Sequence, residues 1–449
     1  MKVTLPIRFS LIIGFSLLLI STGLFSQNQN SDSTKLPFAI ADEKKLSDED
    51  LNDKKEGWYV TGAPDLSSDP INGFGYGAEG SLFFNGKRRD PFFAYTAYRA
   101  KFDFVVFNTT KDQREFFLRL DIPYIFNTKW RLRAEGGYEV NPNLLYFGIT
   151  AQQSLAPLQY IDTDGNLVTN AKYKDYEENF LQGPNEFYNT YNKKEGVLNI
   201  SMEHSYLQGR LRALIGYEIA NVNMTPFAGN SLILNDYNNG KLLGLGNNTI
   251  TIGQVGLIYD TRDLEPDPSN GIFAEVTNEL SLKSFGSAFD FNKTFGHVNY
   301  YKKIFPNTFK RLIFAGRLSM GYTALDAPFY EYQDQWSSEG SIEGLGGPNT
   351  LRGYKQSRFL GRVMSFNNFE LRWRFAQMRF IKQHLEFSAV PFYDFGGVWD
   401  EFSNLTSNNL RHSEGMGLRI AWNESTVLRF DYAISQEDQQ FFFNLAHSF

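Results

Sequence analysis

The sequence predicts an all-β fold, a 16-stranded antiparallel transmembrane β-barrel of an outer membrane. Three observations predict it. Apolar and polar residues alternate with a period of two along most of the chain. The alternating segments run for roughly 10–15 residues, whereas sandwich strands average about 5–6 and a spanning strand needs about 9–11. Long and short connections alternate, as long outside loops and short inside turns do in such barrels. Composition agrees: among 449 residues there are 42 Phe and 24 Tyr, yet the mean hydropathy is −0.36. A helical membrane protein does not average so polar, and only helices and closed barrels satisfy every backbone group in lipid.

Residues 1–26 read as a secretory signal. Lys2 and Arg8 give the basic start, Phe9 to Ile20 the short apolar core, and Ser21 to Ser26 the small residues before cleavage. Residues 27–56 are charge-dense, with Asp42-Glu43-Lys44-Lys45 and Asp48-Glu49-Asp50. So little apolar surface predicts a flexible periplasmic tail. The barrel itself takes residues 57–449.

Its strands are expected near 73–85, 92–107, 114–126, 129–140, 144–151, 195–206, 209–222, 249–262, 271–284, 288–304, 309–323, 363–376, 384–396, 413–422, 425–435 and 439–449. In the seventh, Leu211, Ala213, Ile215, Tyr217 and Ile219 oppose Arg210, Arg212, Leu214, Gly216 and Glu218. The first face suits lipid and the second a polar lumen. Aromatics such as Tyr124, Trp130, Tyr138, Phe375, Tyr393 and Trp422 mark strand ends, where interface girdles lie. Long connections fall at 151–194, 225–248, 325–362 and 397–411.

Several chemistries are excluded. A net charge of −6 gives no basic face for nucleic acid. Zero Cys removes disulfides, thiolate metal sites and cysteine nucleophiles, and five scattered His leave no zinc set. Asp162-Thr163-Asp164-Gly165 lacks the full register of a calcium loop and reads as a polar turn. There is no Gly-x-Ser-x-Gly elbow and no phosphate-cradling loop. The expectation is a protein that is not an enzyme and has no cofactor or metal.

Four segments stand out from the strand background. Tyr259-Asp260-Thr261-Arg262-Asp263, closed by Asn270-Gly271, is a strand running into a periplasmic turn. Gly346-Gly347-Pro348-Asn349-Thr350-Leu351-Arg352-Gly353-Tyr354 lies in a long loop with Arg352 at its centre. Glu370 and Asp394 point into the lumen from neighbouring strands, where a bidentate arginine suits them. The terminal strand places Phe441, Phe443, Leu445 and Phe449 on one face.

In this order the four segments resemble the bacterial surface antigen family of BamA and TamA. The resemblance implies a 16-stranded barrel across 57–449, with Gly347, Leu351, Arg352, Gly353 and Tyr354 in a loop folded back into the lumen. It implies Glu370 and Asp394 as the acidic partners of Arg352. Insertases of that family carry POTRA domains, for which residues 27–56 are too few. Three functions stay open. One is assembly or translocation of unfolded outer-membrane proteins through a lateral seam between strands 73–85 and 439–449. Another is a narrow passive channel. The last is an accessory subunit of an envelope complex. Each places the chain among outer-membrane lipid, including lipopolysaccharide.

Overall fold

The structure is a computed structural model describing residues 35–449, except 70–72, 310, 381–382 and 424–425. The signal expected over 1–26 lies outside the described residues. The body is one 16-stranded sheet in which each strand pairs antiparallel with its neighbour in sequence. The strands are β1 (Trp58–Asp69), β2 (Gly73–Phe84), β3 (Ala100–Thr109), β4 (Arg114–Ile122), β5 (Trp130–Leu145), β6 (Thr190–Tyr206), β7 (Leu211–Pro226) and β8 (Gly246–Asp260). They continue as β9 (Gly271–Ser281), β10 (Phe291–Lys303), β11 (Leu312–Leu325), β12 (Val363–Phe380), β13 (Gln383–Trp399), β14 (Arg411–Trp422), β15 (Thr426–Ser435) and β16 (Gln439–Leu445).

The two-residue period does what it promises. On β7, Ile215, Tyr217 and Ile219 are exposed on the outside, while Arg212, Leu214 and Ala220 are buried. Leu198 and Ile200 on β6, Val255 and Leu257 on β8, and Leu318 and Met320 on β11 continue the outward apolar band. No described helix is long and apolar enough to cross a membrane.

The count of sixteen holds, but one strand is gained, one is lost and several boundaries differ from expectation. The first strand is Trp58–Asp69, not 73–85. Gly62, Pro64 and Asp65 broke its pattern in the sequence. The end of the sheet tolerates Pro64, because an outermost strand does not need every backbone donor. The expected strand at 144–151 does not exist. Leu144 and Leu145 extend β5, and Ala151–Ser154 then form a helical turn that the Thr150 side chain caps by accepting from Gln153 N. The segment expected from 92 enters the sheet only at Ala100.

The tail expected to be flexible over 27–56 is ordered from residue 35 onward. Ser47 caps a short helix, Asp48–Asp53, and Ile40, Ala41 and Leu46 are buried. Its ordering comes from polar contacts that no local pattern announces. Lys54 Nζ donates to Phe93 O at 2.6 Å and Thr96 O at 2.5 Å, over the Phe93 ring. Ala41 N donates to Gln208 O, and Leu46 N to Ala94 O.

Segment 35–57 shares one end of the sheet with connections 85–99, 123–129, 207–210, 261–270 and 304–311. The long connections 146–189, 227–245, 326–362 and 400–410 all begin at the opposite end. The first end is periplasmic and the second external.

The last strand is shorter than expected. It stops at Leu445, and Ala446 takes a left-handed φ of 69°. The chain then turns into the lumen. Phe449 therefore does not share the outward face of Phe441. Its ring lies between the guanidinium groups of Arg317 and Arg372, 5.0 and 5.2 Å away. A left-handed alanine costs about 1–2 kcal/mol, against about 0.5–1 kcal/mol for the lost freedom of glycine. Ala446→Gly should therefore stabilise the barrel by roughly 0.5 kcal/mol. A lower unfolding midpoint in detergent for the variant would contradict the inward turn.

Candidate functional site in the lumen and at the periplasmic mouth

The β11–β12 connection, residues 326–362, does not leave the barrel. It folds back into the lumen through a short helical turn (Phe329–Gln333), a two-residue pairing of Asp334–Gln335 with Ile342–Glu343, and a bridge from Leu345 to Phe359. Gly347 has φ 97° and lies just before the tip. Leu351 and Tyr354 pack with Phe295, Phe359, Phe366 and Val398 in a dry cluster. Tyr354 reaches the His412 carbonyl at 3.4 Å. Gly353, at φ 86°, lets the chain lie against the backbone of Ile434 and Ser435 on β15.

These contacts drive Arg352 into the barrel wall, where it has no water-accessible surface. Its Nε is 2.7 Å from Asp394 Oδ2 and its Nη2 2.8 Å from Asp394 Oδ1, a fork-on-fork pair. Nη1 reaches Glu370 Oε1 at 2.8 Å and Asp431 Oδ2 at 3.2 Å. The Phe392 ring lies beneath, 3.5 Å from the guanidinium carbon. The structure thus brings Arg352, Glu370 and Asp394 together, on β12, β13 and the loop.

It also adds residues that the sequence did not single out. Asp431 comes from β15, and Arg419 on β14 bonds both Asp431 (2.6 Å) and Glu370 (3.1 Å). Arg372 holds the other oxygen of Glu370 at 2.9 Å, and Ser448 Oγ donates to Glu370 at 3.1 Å. Asn368 donates to Asp394 and accepts from Arg317. The available signal was the inward-facing charge on β14 and β15, opposite outward Met416, Leu418 and Tyr432.

The second cluster lies at the periplasmic mouth. Asp260, fully buried, accepts from Arg262 N (3.0 Å), Arg262 Nε (3.2 Å) and Arg212 Nη2 (3.2 Å), and Lys44 approaches to 3.5 Å. Arg262 also pairs with Glu339, which descends from the lumenal loop. Asp263 stays local and caps Leu264, Ser269 and Asn270. Gly271 closes the turn at φ 121°, where a side chain would meet Thr261 O at 2.4 Å. Tyr259 is not part of the cluster; it faces outward.

This turn crosses the mouth. Glu265 pairs with Arg131 on β5 and Arg212 on β7. Asp267 pairs with Arg311, Arg374 and His447 on the far side. Burial pushes the Glu265 carboxyl up, but Arg131 and Arg212 more than reverse this and hold it at about 2. A carboxyl depressed on folding contributes stability above its unfolded range near 4.5, and loses it as pH falls toward 2. The cross-mouth pairing therefore survives mild acid.

At the terminal strand, Phe441 faces lipid, Phe443 packs 4.9 Å from Phe430 on β15, and Leu445 lies opposite Leu428.

Fold and lumen together define a 16-stranded outer-membrane barrel of a Gram-negative bacterium whose interior is filled by its own loop. An Omp85 superfamily domain matches residues 96–449, and the chain belongs to that superfamily. A domain of unknown function, DUF5982, matches residues 36–99. Among solved structures the chain is similar to BamA from Haemophilus ducreyi lacking POTRA domains 1–3, at 14% identity over 88% of this chain and 70% of that one, with a TM-score of 0.49. It is similar to CdiB from Escherichia coli at 11% identity over 87% of this chain and 62% of that one, with a TM-score of 0.52. The likeness to CdiB concerns the fold alone. No curated protein matches the chain by sequence.

Burial decides what Arg352 is worth. Exposed pairs contribute about 0–1 kcal/mol, whereas breaking a buried pair costs about 3–5 kcal/mol. Without Arg352, Glu370 keeps Arg372 and Arg419, and Asp431 keeps Arg419. Asp394 would rely on Asn368 alone for a close side-chain donor. Arg352→Ala should cost about 3–5 kcal/mol and lower the yield of heat-shifted, folded barrel. Adding Asp394→Asn should recover much of that loss. A double variant no better than Arg352→Ala would show that the stranded carboxylate is not the cause.

Proposed function

We propose that this barrel assembles or translocates outer-membrane proteins through a lateral seam between β1 and β16, without acting as an enzyme. Its place in the Omp85 superfamily supports the class of activity. CdiB, a similar structure, shares the fold. Unfolded outer-membrane proteins are the proposed clients, and outer-membrane lipid, including lipopolysaccharide, the proposed surroundings.

One observation carries the seam. Ala446 follows β16 by donating to Val427 O, and the chain then leaves the wall for the lumen. Thr426, the next position along β15, is met instead by Thr61 of β1, with the two Oγ1 atoms 2.7 Å apart. Among the described residues, this side-chain contact links β1 to β15 at that point. β16 has seven residues against twelve in β1, and Pro64 removes one backbone donor from β1. The longer β1 offers an edge for pairing with an incoming extended segment at every position but Pro64. The filled lumen speaks against a wide passive channel.

The cysteine-free chain makes the test direct. Depletion should cause a broad loss of barrel proteins from the outer membrane. Thr61→Cys with Thr426→Cys should form a disulfide across the seam, since the hydroxyls already touch. The oxidised form should fail to replace the wild type and the reduced form should succeed. Full function of the oxidised form would sink the seam.

A further inference from the structure

The structure assigns a role to residues 36–99: they form a hinged leaf that closes the periplasmic mouth and carries the seam strand, so that mouth and seam open as one motion. This rests on the seam reading above.

Segment 36–57 and connection 85–99 are knitted together. Lys54 Nζ donates to the carbonyls of Phe93 and Thr96, and Leu46 N to Ala94 O. Arg88 Nη1 donates to Leu51 O and Nη2 to Asn52 O. Gly57 N donates to Gly86 O, and Asn85 N to Gly57 O. Between these two layers the chain runs out through β1 and back through β2, paired along twelve residues. Floor and seam strand are therefore one body, and the body ends where it joins β3. The same span is matched as a separate domain of unknown function.

Its attachments to the rest of the barrel are of two kinds. On the side of β4 to β8 they are mainly buried or apolar, with one partly exposed ion pair between Glu43 and Arg210. Phe38 packs on Tyr124 at 5.4 Å, Ala41 N donates to Gln208 O, and Lys44 faces Asp260. On the β12–β13 side they are polar and partly wet. Asp53 pairs with Arg379 at 2.8 Å and with His384 at 3.2 Å, and Lys55 donates to Gln383. Arg379 is 71% exposed, whereas Asp53 is 9% and His384 7% exposed, so the weak arm of the latch is Arg379. An exposed ion pair is weak and is screened by salt. The first side is the hinge and the second the latch. The latch sits one or two residues from Lys54 and a few residues from Trp58, where β1 begins. Releasing it frees the leaf at the edge that borders β16.

The test uses the purified full chain in liposomes, with Thr426→Cys as the sole thiol. Thr426 is buried and is covered by Thr61 of β1. A membrane-impermeant maleimide therefore labels it when β1 moves away. Asp53→Ala and Arg379→Ala open the latch from either partner and leave the seam untouched. Either should raise the labelling rate about two- to fivefold, the range an exposed pair supports, and high salt should do the same to the parent. Single-channel conductance should rise with the labelling. A rise in conductance with unchanged labelling would make the floor a plug independent of the seam and overturn the proposal. No change in either would make the floor static and overturn it too. These readouts need no client, so loss of the assembly reading in a depletion experiment would leave their outcome distinct.

Discussion

A guanidinium sealed from water must be matched by carboxylates already in place, and Arg352 imposes that demand on three strands and a loop at once. Asp394 on β13, Glu370 on β12 and Asp431 on β15 each supply an oxygen within 3.2 Å. Their positions follow from register. Asn368 pairs with Asp394 across β12 and β13, and Asp431 pairs with Gly417 across β14 and β15. A one-residue slip in any pairing would turn a carboxylate toward lipid. The interaction therefore fixes the loop in the lumen and also favours one register of β12 to β15 over its neighbours.

The same logic reappears at the periplasmic mouth with different geometry. There the charges sit on a turn and not on a loop tip, and they reach sideways. Glu265 and Asp267 are two residues apart, yet their partners lie on opposite sides of the barrel. Glu339 connects this layer to the lumenal loop through Arg262. At the mouth the charges alternate without a break from Glu339 on the lumenal loop through Arg262, Asp260, Arg212 and Glu265 to Arg131 on β5. Apolar packing handles the external end instead, where Tyr146, Tyr191, Ile233 and Phe329 form the largest buried cluster.

The barrel was legible because a two-residue period survives in any strand with lipid on one side and charge on the other. Arg352, Glu370 and Asp394 were legible because a lone fork-shaped donor in a glycine-rich loop needs acidic partners on inward faces. What escaped was structure without a period. β1 contains Gly62, Pro64 and two aspartates, which an outermost strand accepts and a sequence pattern rejects. The 35–57 floor is held largely by backbone donors and two buried lysines, Lys44 and Lys54, none of which leaves an apolar signature. The inward turn at Ala446 depends on a single left-handed residue, and Phe449 looks like the next member of an alternating face until that residue is seen.

That turn ties the end of the sheet to its centre. Ser448 donates to Glu370, the same carboxylate that receives Arg352, and Arg317 binds both the Ser448 carbonyl and Asn368, the partner of Asp394. Residues 447–449 are therefore held by the loop's own network. If they rejoined the wall beyond Leu445, they would compete with Thr61 for the edge of β15 at Thr426. The seam contact and the lumenal network are thus alternatives for the same few residues. On the proposed seam reading, a change that loosens Glu370 or Arg317 is therefore expected to alter how β1 meets β15, although neither residue touches Thr61 or Thr426.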